Sequence, residues 1–194
     1  LDLNYQVGLF NNTGSLSINQ LFFYTRINDP MLLMPVAGAL SYRQQDGDLN
    51  TKGLETNIKL VYGDFKLFVG YTFADVRQHI GTTVTHYPLV SKHRLNNVLM
   101  YELEDEWKIG AEAYYFGSQL LNDGSKGKSY WITGFLAEKL FERFSLFINF
   151  ENFTDSRQTR FDTIYTGSIT APVFRDIYAP MDGFVVNGGI KIRL

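Results

Sequence analysis

The stretch LETNIKLVYGDFKLFVGYTFA, residues 54–74, decides the fold. Leu54, Thr56, Ile58, Leu60 and Tyr62 occupy every second position and oppose Glu55, Asn57 and Lys59. After Gly63-Asp64 the alternation resumes, with Phe65, Leu67, Val69, Tyr71 and Phe73 set against Lys66, Gly70, Thr72 and Ala74. A period of two belongs to an extended strand, whose side chains point to opposite faces in turn. A Gly-Asp pair between two such runs has the chemistry of a tight hairpin turn. The stretch therefore reads as a hairpin with one apolar face and one polar face.

The same pattern extends in both directions. Upstream, Leu1, Leu3, Tyr5, Val7 and Leu9 oppose Asp2, Asn4, Gln6 and Gly8; then comes the turn chemistry of Asn11-Asn12-Thr13-Gly14. Leu16, Ile18, Phe22 and Tyr24 share the next apolar face, interrupted at Gln20 and opposed by Ser17, Asn19 and Thr25. Residues 28–50, with two prolines and the run Gln44-Gln45-Asp46-Gly47-Asp48, suit a long loop.

Downstream, residues 79–91 lose the pattern, and Leu95, Leu99, Tyr101 and Leu103 lead into the turn Asp105-Glu106. Trp107, Ile109, Ala111, Ala113 and Tyr115 return against Lys108, Gly110, Glu112 and Tyr114. A Gly/Lys/Ser-rich loop over 120–128 precedes a strand over 129–140, the short turn Phe141-Glu142-Arg143, and a strand in which Phe144, Leu146, Ile148 and Phe150 oppose Ser145, Asn149 and Glu151. An irregular stretch over 154–182 ends at a last strand, Phe184, Val186, Ile190 and Ile192 against Asn187, Lys191 and Arg193. This gives an all-β chain, an antiparallel up-and-down meander of about nine long strands with no amphipathic helix.

Short turns and long loops alternate strictly along this meander. Outer-membrane barrels have that rhythm, with short periplasmic turns and long extracellular loops. The strands approach or exceed the roughly 9–11 residues that cross a bilayer at a tilt, against about five or six in a typical soluble strand. Tyr62, Phe65, Tyr101, Trp107, Phe141 and Phe144 flank the short turns, as a girdle at one membrane interface requires. Composition agrees: 194 residues suit one domain, and 16 Phe and 12 Tyr are a heavy aromatic load. No apolar run approaches the roughly twenty residues of a membrane helix.

Other classes fall away. A net charge of -2, from 18 basic and 20 acidic residues, gives no field for nucleic acid. The absence of cysteine removes disulfides and thiolate chemistry. The start Leu1-Asp2-Leu3 has neither an initiator Met nor a signal-peptide layout and reads as a beginning in mid-protein. The alternative is a soluble antiparallel β-barrel or sheet domain binding a small apolar ligand. The discriminating feature is the direction of the apolar face, outward to lipid in one reading and inward to a dry core in the other.

Thr51-Lys52-Gly53-Leu54-Glu55 followed by Phe68-Val69-Gly70-Tyr71-Thr72-Phe73-Ala74 resembles the hairpin repeated in the C-terminal barrel segments of TonB-dependent receptors. PLVSKHRLNNVLMY over 88–101 resembles that family's next strand, FINFENFTDSRQTR over 147–160 its penultimate strand and the opening of its last long loop, and residues 183–194 its closing strand. Such barrels often end on an aromatic residue, whereas this chain ends on Leu194.

The resemblance implies a transmembrane barrel of about twenty-two strands in a Gram-negative outer membrane, of which residues 1–194 are a C-terminal portion. It also implies an N-terminal plug and a contact to the TonB complex, both outside this stretch. The implied function is energised uptake of a ferric siderophore, haem, cobalamin or an oligosaccharide, with no catalysis and no cofactor. About nine strands are too few, and of the wrong parity, to close a barrel alone.

Under that resemblance, ligand contacts come from the long loops. His79 and His86 stand with His93 around one loop, without the spacing of a metal motif, and are read as ligand contacts with no metal site assigned. Arg157, Arg160 and Arg175 suit bidentate contact with an anionic chelate. Tyr87 and Tyr165, with Phe161 and Tyr178, suit stacking on a planar or sugar ligand. Asp46, Asp48 and Asn50 lack the bidentate Glu of a calcium loop. No nucleophile elbow, phosphate loop or zinc spacing occurs in a supporting context.

Overall fold

The computed structural model describes residues 1–11, 13–36 and 39–192. The expected turn residue Asn12, the closing-strand residue Arg193 and the terminal Leu194 lie outside the described residues, as do residues 37–38 of the first long loop. In chain order the strands are β1 (Asp2–Leu9), β2 (Gly14–Asn28), β3 (Met31–Val36), β4 (Ala39–Gln44), β5 (Asp48–Tyr62), β6 (Phe65–Ile80), β7 (Thr83–His86), β8 (His93–Leu103), β9 (Trp107–Phe116), β10 (Tyr130–Leu140) and β11 (Phe144–Glu151). A single helical turn, α1 (Gln158–Phe161), precedes β12 (Tyr165–Ser168), β13 (Ala171–Phe174) and β14 (Val185–Ile192).

One antiparallel sheet runs in the order β1-β2-β5-β6-β8-β9-β10-β11-β14, with β7 paired on the far end of β6. This is the expected nine-strand meander, and its neighbours are joined in sequence order. Three long loops nevertheless hold hairpin structure of their own. β3 pairs with β4, β6 with β7 and β12 with β13. The strands also run further than the alternation suggested: β2, β5 and β6 stay paired from Asn28 through Asp48 to His79. The backbone ladder continues there after the apolar period has stopped. Above an apolar band both faces are wet, so side-chain alternation vanishes while pairing persists.

Residues paired directly across strands share a face. Ile58 is paired with Ile18 and Val69, Leu60 with Leu16 and Leu67, and Leu54 with Phe22 and Phe73. The row continues through Leu67↔Leu99↔Ala111↔Phe135↔Phe150↔Val186. Every one of these residues is on the same face. Side-chain hydrogen bonds between strands on this face are local: Thr56 Oγ1 donates to Gln20 Oε1 at 2.6 Å, and Gln20 Nε2 donates to the Glu55 carbonyl at 3.1 Å. Gln20, which breaks the apolar alternation in sequence, is thus satisfied inside its own strand pair.

The opposite face carries Lys59, Lys66, Lys108, Glu112, Asn149 and Lys191. Here Lys191 Nζ lies 3.1 Å from Glu138, which also accepts from Ser145 Oγ, and Lys66 pairs with Glu102. At the short-turn end, Phe10 meets Tyr62 at 5.2 Å, Phe65 meets Tyr101 at 4.9 Å and Phe141 stacks on Phe144 at 4.6 Å between ring centroids. The aromatic residues flanking the turns therefore gather at one edge of the apolar band.

The sheet has no dry core. Among the described residues the buried hydrophobic side chains are Ala74, Leu121, Leu140, Tyr178 and Ala179. Leu99, Leu146, Ile148 and Val186, central to the apolar face, remain 41–48% exposed. A soluble barrel or sandwich of this length would turn those residues inward; here the apolar face stays uncovered.

Candidate functional site

The buried core that does exist lies at the long-loop end. Leu121, Tyr178 and Ala179 form it, with Tyr130 and Phe161 packed against it. Gln158, fully buried on α1, locks the last long loop upon itself. Its Nε2 donates to the Asp176 carbonyl at 2.8 Å, while Oε1 accepts from the backbone N–H groups of Tyr178 (2.8 Å) and Ala179 (3.2 Å). A buried amide is tolerable only when its donors and acceptors are met, and these contacts meet them.

Two loops are tied together by this knot. The Tyr178 hydroxyl donates to Asp162 Oδ2 at 2.7 Å and accepts from the Lys128 N–H at 2.8 Å; the Tyr130 hydroxyl donates to the Tyr178 carbonyl at 2.9 Å. Asn122 donates from its backbone N–H and from Nδ2 to the Asp176 carboxylate, at 2.6 and 2.8 Å. Gly127 has no side chain because a Cβ there would stand 2.7 Å from the Tyr178 ring. The Tyr178 hydroxyl bond, the Thr163 N–H and Arg175 together hold the Asp162 carboxyl below its ordinary range, against the opposing effect of burial. Burial, then the Asp162 carboxylate, raises the Tyr178 phenol above its ordinary value.

The structure separates the residues singled out from sequence into three groups. Arg175 belongs to the knot: Nη1 lies 3.0 Å from Asp162 Oδ1 and Nη2 donates to Ser125 Oγ at 3.1 Å. Phe161 and Tyr178 belong to it as well, Phe161 lying 6.1 Å from the Tyr130 ring and 6.4 Å from the Tyr178 ring. Tyr178 is buried by this packing and Phe161 partly buried.

Arg157 and Arg160 converge on one carboxylate, each 2.9 Å from Asp155, so the trio keeps an excess positive charge at the loop surface. Tyr165, on β12, is exposed near them in sequence. Tyr87 lines a cavity of about 210 Å³ with Ala74, Val76, Gln119 and Lys126, on the polar face of the sheet.

His79 and His86 form the third group. His79 lies on the side of the apolar band, its Nδ1 4.0 Å from Asp48; His86, whose Nδ1 lies 3.4 Å from Asp75, also lines the cavity beside Tyr87. His93 is held by the Tyr71 hydroxyl at 2.8 Å. Among the described residues no group of three or more His, Cys, Asp or Glu side chains is arranged to hold a metal ion.

Gln158, Asp162, Gln119 and Lys126 were not singled out from sequence. Gln158, Asp162 and Gln119 depend on partners 13 to 59 positions along the chain, for which spacing gives no signal.

A family model described as "TonB dependent receptor-like, beta-barrel" matches residues 3–153. No curated protein matches the chain. Among solved structures, the ferric-catecholate import receptor Fiu from K12 E. coli, in its closed form, is similar over 80% of this chain, with 18% identity and a TM-score of 0.57. The FpvAI–pyocin S2 complex is similar over 97%, with 16% identity and a TM-score of 0.62. The siderophore receptor PirA from Acinetobacter baumannii is similar over 80%, with 16% identity and a TM-score of 0.57. The chain spans 23%, 25% and 28% of the lengths of these three, so it matches about a quarter of each.

Proposed function

Because this chain belongs to the TonB-dependent receptor-like β-barrel family, we propose that it forms a C-terminal portion of the wall and extracellular loops of an outer-membrane transporter. Its ligand class is an iron chelate, taken up with energy relayed by the TonB complex through a region of the receptor outside this stretch. One observation carries the reading: nine neighbouring strands present a predominantly apolar face that no described part of the chain covers, backed by a polar face. In a barrel wall the first meets lipid and the second lines the lumen. β1 and β14, the edges of the described sheet, then pair with further strands of the receptor.

The siderophore assignment draws support from two similar structures, the ferric-catecholate import receptor and the siderophore receptor. Haem, cobalamin and oligosaccharides are the other classes the family resemblance implies. In this reading Tyr87, Arg157, Arg160 and Tyr165 touch the ligand. Arg175 positions their loops through Asp162, His79 lies on the outward side, and His86 borders the cavity beside Tyr87.

The test uses the complete receptor in cells that lack other iron-chelate receptors. Radioactive iron accumulation from a panel of ferric siderophores is measured with and without a functional TonB. Uptake of at least one chelate that stops without TonB supports the reading. Uptake that continues unchanged in its absence, or no uptake of any chelate while haem or cobalamin is imported, overturns it.

A further inference from the structure

One feature of the apolar-band side has no place in ligand uptake through the lumen. Directly above Phe22, Leu54 and Phe73, the same face changes abruptly from apolar to charged. In β2 the residues on it are Tyr24 and Arg26, in β5 Lys52, Asn50 and Asp48, and in β6 Asp75, Arg77 and His79. A recess of about 470 Å³ opens there, lined by Tyr24, Asn50, Lys52, Arg77, His79 and others.

Its acidic floor is already neutralised. Asp75 is almost fully buried, with Arg77 Nε and Lys92 Nζ each 2.9 Å away and His86 Nδ1 at 3.4 Å. Asp48 is engaged by Arg26 at 2.8 Å. Lys52 makes no ion pair with any described residue. Among the described residues lining the recess, the cations Lys52 and Arg77 therefore outnumber the single carboxylate of Asp75, on which Lys92 converges from outside the recess. The Tyr24 hydroxyl donates to Asn50 Oδ1 at 3.0 Å, which leaves the Asn50 amide to donate within the patch, where it bonds Asp48.

We propose that this recess binds the phosphate-bearing headgroup of an outer-leaflet lipid. Lys52 and Arg77 hold the phosphate, and the lipid's acyl chains lie on Phe22, Leu54 and Phe73 below. The proposal rests on the outer-membrane reading above and adds a site to it. Three observations support it together: the recess is on the apolar face of the sheet, it lies where the apolar band ends, and its cations exceed its anions. Anionic headgroups are attracted to basic clusters placed at that depth.

The test uses the complete receptor, extracted from membranes in mild detergent and titrated with bis-phosphorylated lipid A and with the same lipid stripped of phosphate, bound lipid being counted by native mass spectrometry. The wild type should prefer the phosphorylated form by about tenfold or more, and Lys52→Ser/Arg77→Gln should abolish that preference. Lys52→Ser alone, an exposed change, should lower it severalfold and serves if the double variant does not fold. Lys139→Ser, on the same face at the short-turn end beside Trp107, should leave it unchanged.

Equal binding of both lipids, or displacement of lipid A by an equal concentration of inorganic phosphate, overturns the proposal. A receptor that fractionates with the outer membrane yet shows no preference refutes this site alone. One that fractionates elsewhere refutes the outer-membrane reading as well.

Discussion

The sheet and the knot at its rim meet the same requirement in opposite ways. In the sheet, Leu54, Ile58, Val69 and Leu146 gather on one face that no other part of the described chain covers; the burial that stabilises them must come from outside. In the knot, Leu121, Tyr178 and Ala179 are covered by the chain itself, and Gln158 shows how such a core admits a polar group, through three backbone partners. The wall is organised by period, with each strand repeating its neighbour's register. The knot is organised by particular contacts between residues some fifty positions apart, such as Lys128 to Tyr178. One part of the molecule leaves its apolar residues for an outside partner to cover, and the other covers its own.

That contrast is broken most sharply by a charge in the wall. Val69→Arg, at the middle of the apolar run from Phe65 to Phe73, should destabilise the complete receptor in lipid vesicles by about 2–4 kcal/mol. The same Arg at Asn96, on the polar face and opposite Gly70, should cost much less. Equilibrium unfolding of both variants decides it; equal costs would mean that neither face is lipid-facing.

The knot answers to a different change. Gln158→Leu leaves the Tyr178 and Ala179 N–H groups and the Asp176 carbonyl without partners in a buried place, at about 1–3 kcal/mol. Hydrogen exchange at Tyr178 and Ala179 should accelerate, while the amides of β9 and β10 keep their protection. If the strands lose protection too, the two regions are one cooperative unit.

The wall was almost entirely legible in sequence, because alternation is a local signal and the hairpin at Gly63-Asp64 repeats it without a break. What was missed lies where that signal ends for a physical reason. β6 runs on to Ile80 and pairs with β7 although Arg77 and His79 share the face of Val69, since beyond the apolar band no pressure keeps that face apolar. β12 and β13 are exposed short pairs whose residues need no period, and β3 and β4 are short pairs of six residues each. The rim residues were legible only as types. Arg157, Arg160 and Arg175 look alike in sequence, yet only Arg175 is drawn into the knot, because Asp162 and Ser125 wait for it there. No spacing rule could have separated the three.

Acid should loosen the knot. Asp162 titrates below its ordinary value in the folded chain, chiefly through the Tyr178 hydroxyl. Its stabilising contribution is therefore complete above the unfolded carboxyl range and is lost as pH falls through the lower, folded value. Exchange at Tyr178 measured along an acid titration should rise over that window, and Asp162→Asn should remove the pH dependence while leaving the strand amides unchanged. A rise that survives the substitution would assign the effect to another carboxylate.

The smallest expected change separates stability from function within the rim. Arg160 is more than half exposed and shares Asp155 with Arg157, so an ion pair of this kind is worth about 0–1 kcal/mol. Arg160→Gln should leave exchange at Tyr178 and the unfolding of the wall nearly unchanged. Its effect should fall on binding, where the loss of one of two cations around a single carboxylate removes the excess charge available to an anionic chelate. Titration with the transported chelate should show weaker affinity in this variant and unaltered affinity in Lys139→Ser. If Arg160→Gln instead opens the knot without changing affinity, the pair belongs with Arg175 to the water-side core, and the ligand must be held by Tyr87 and the cavity beside it.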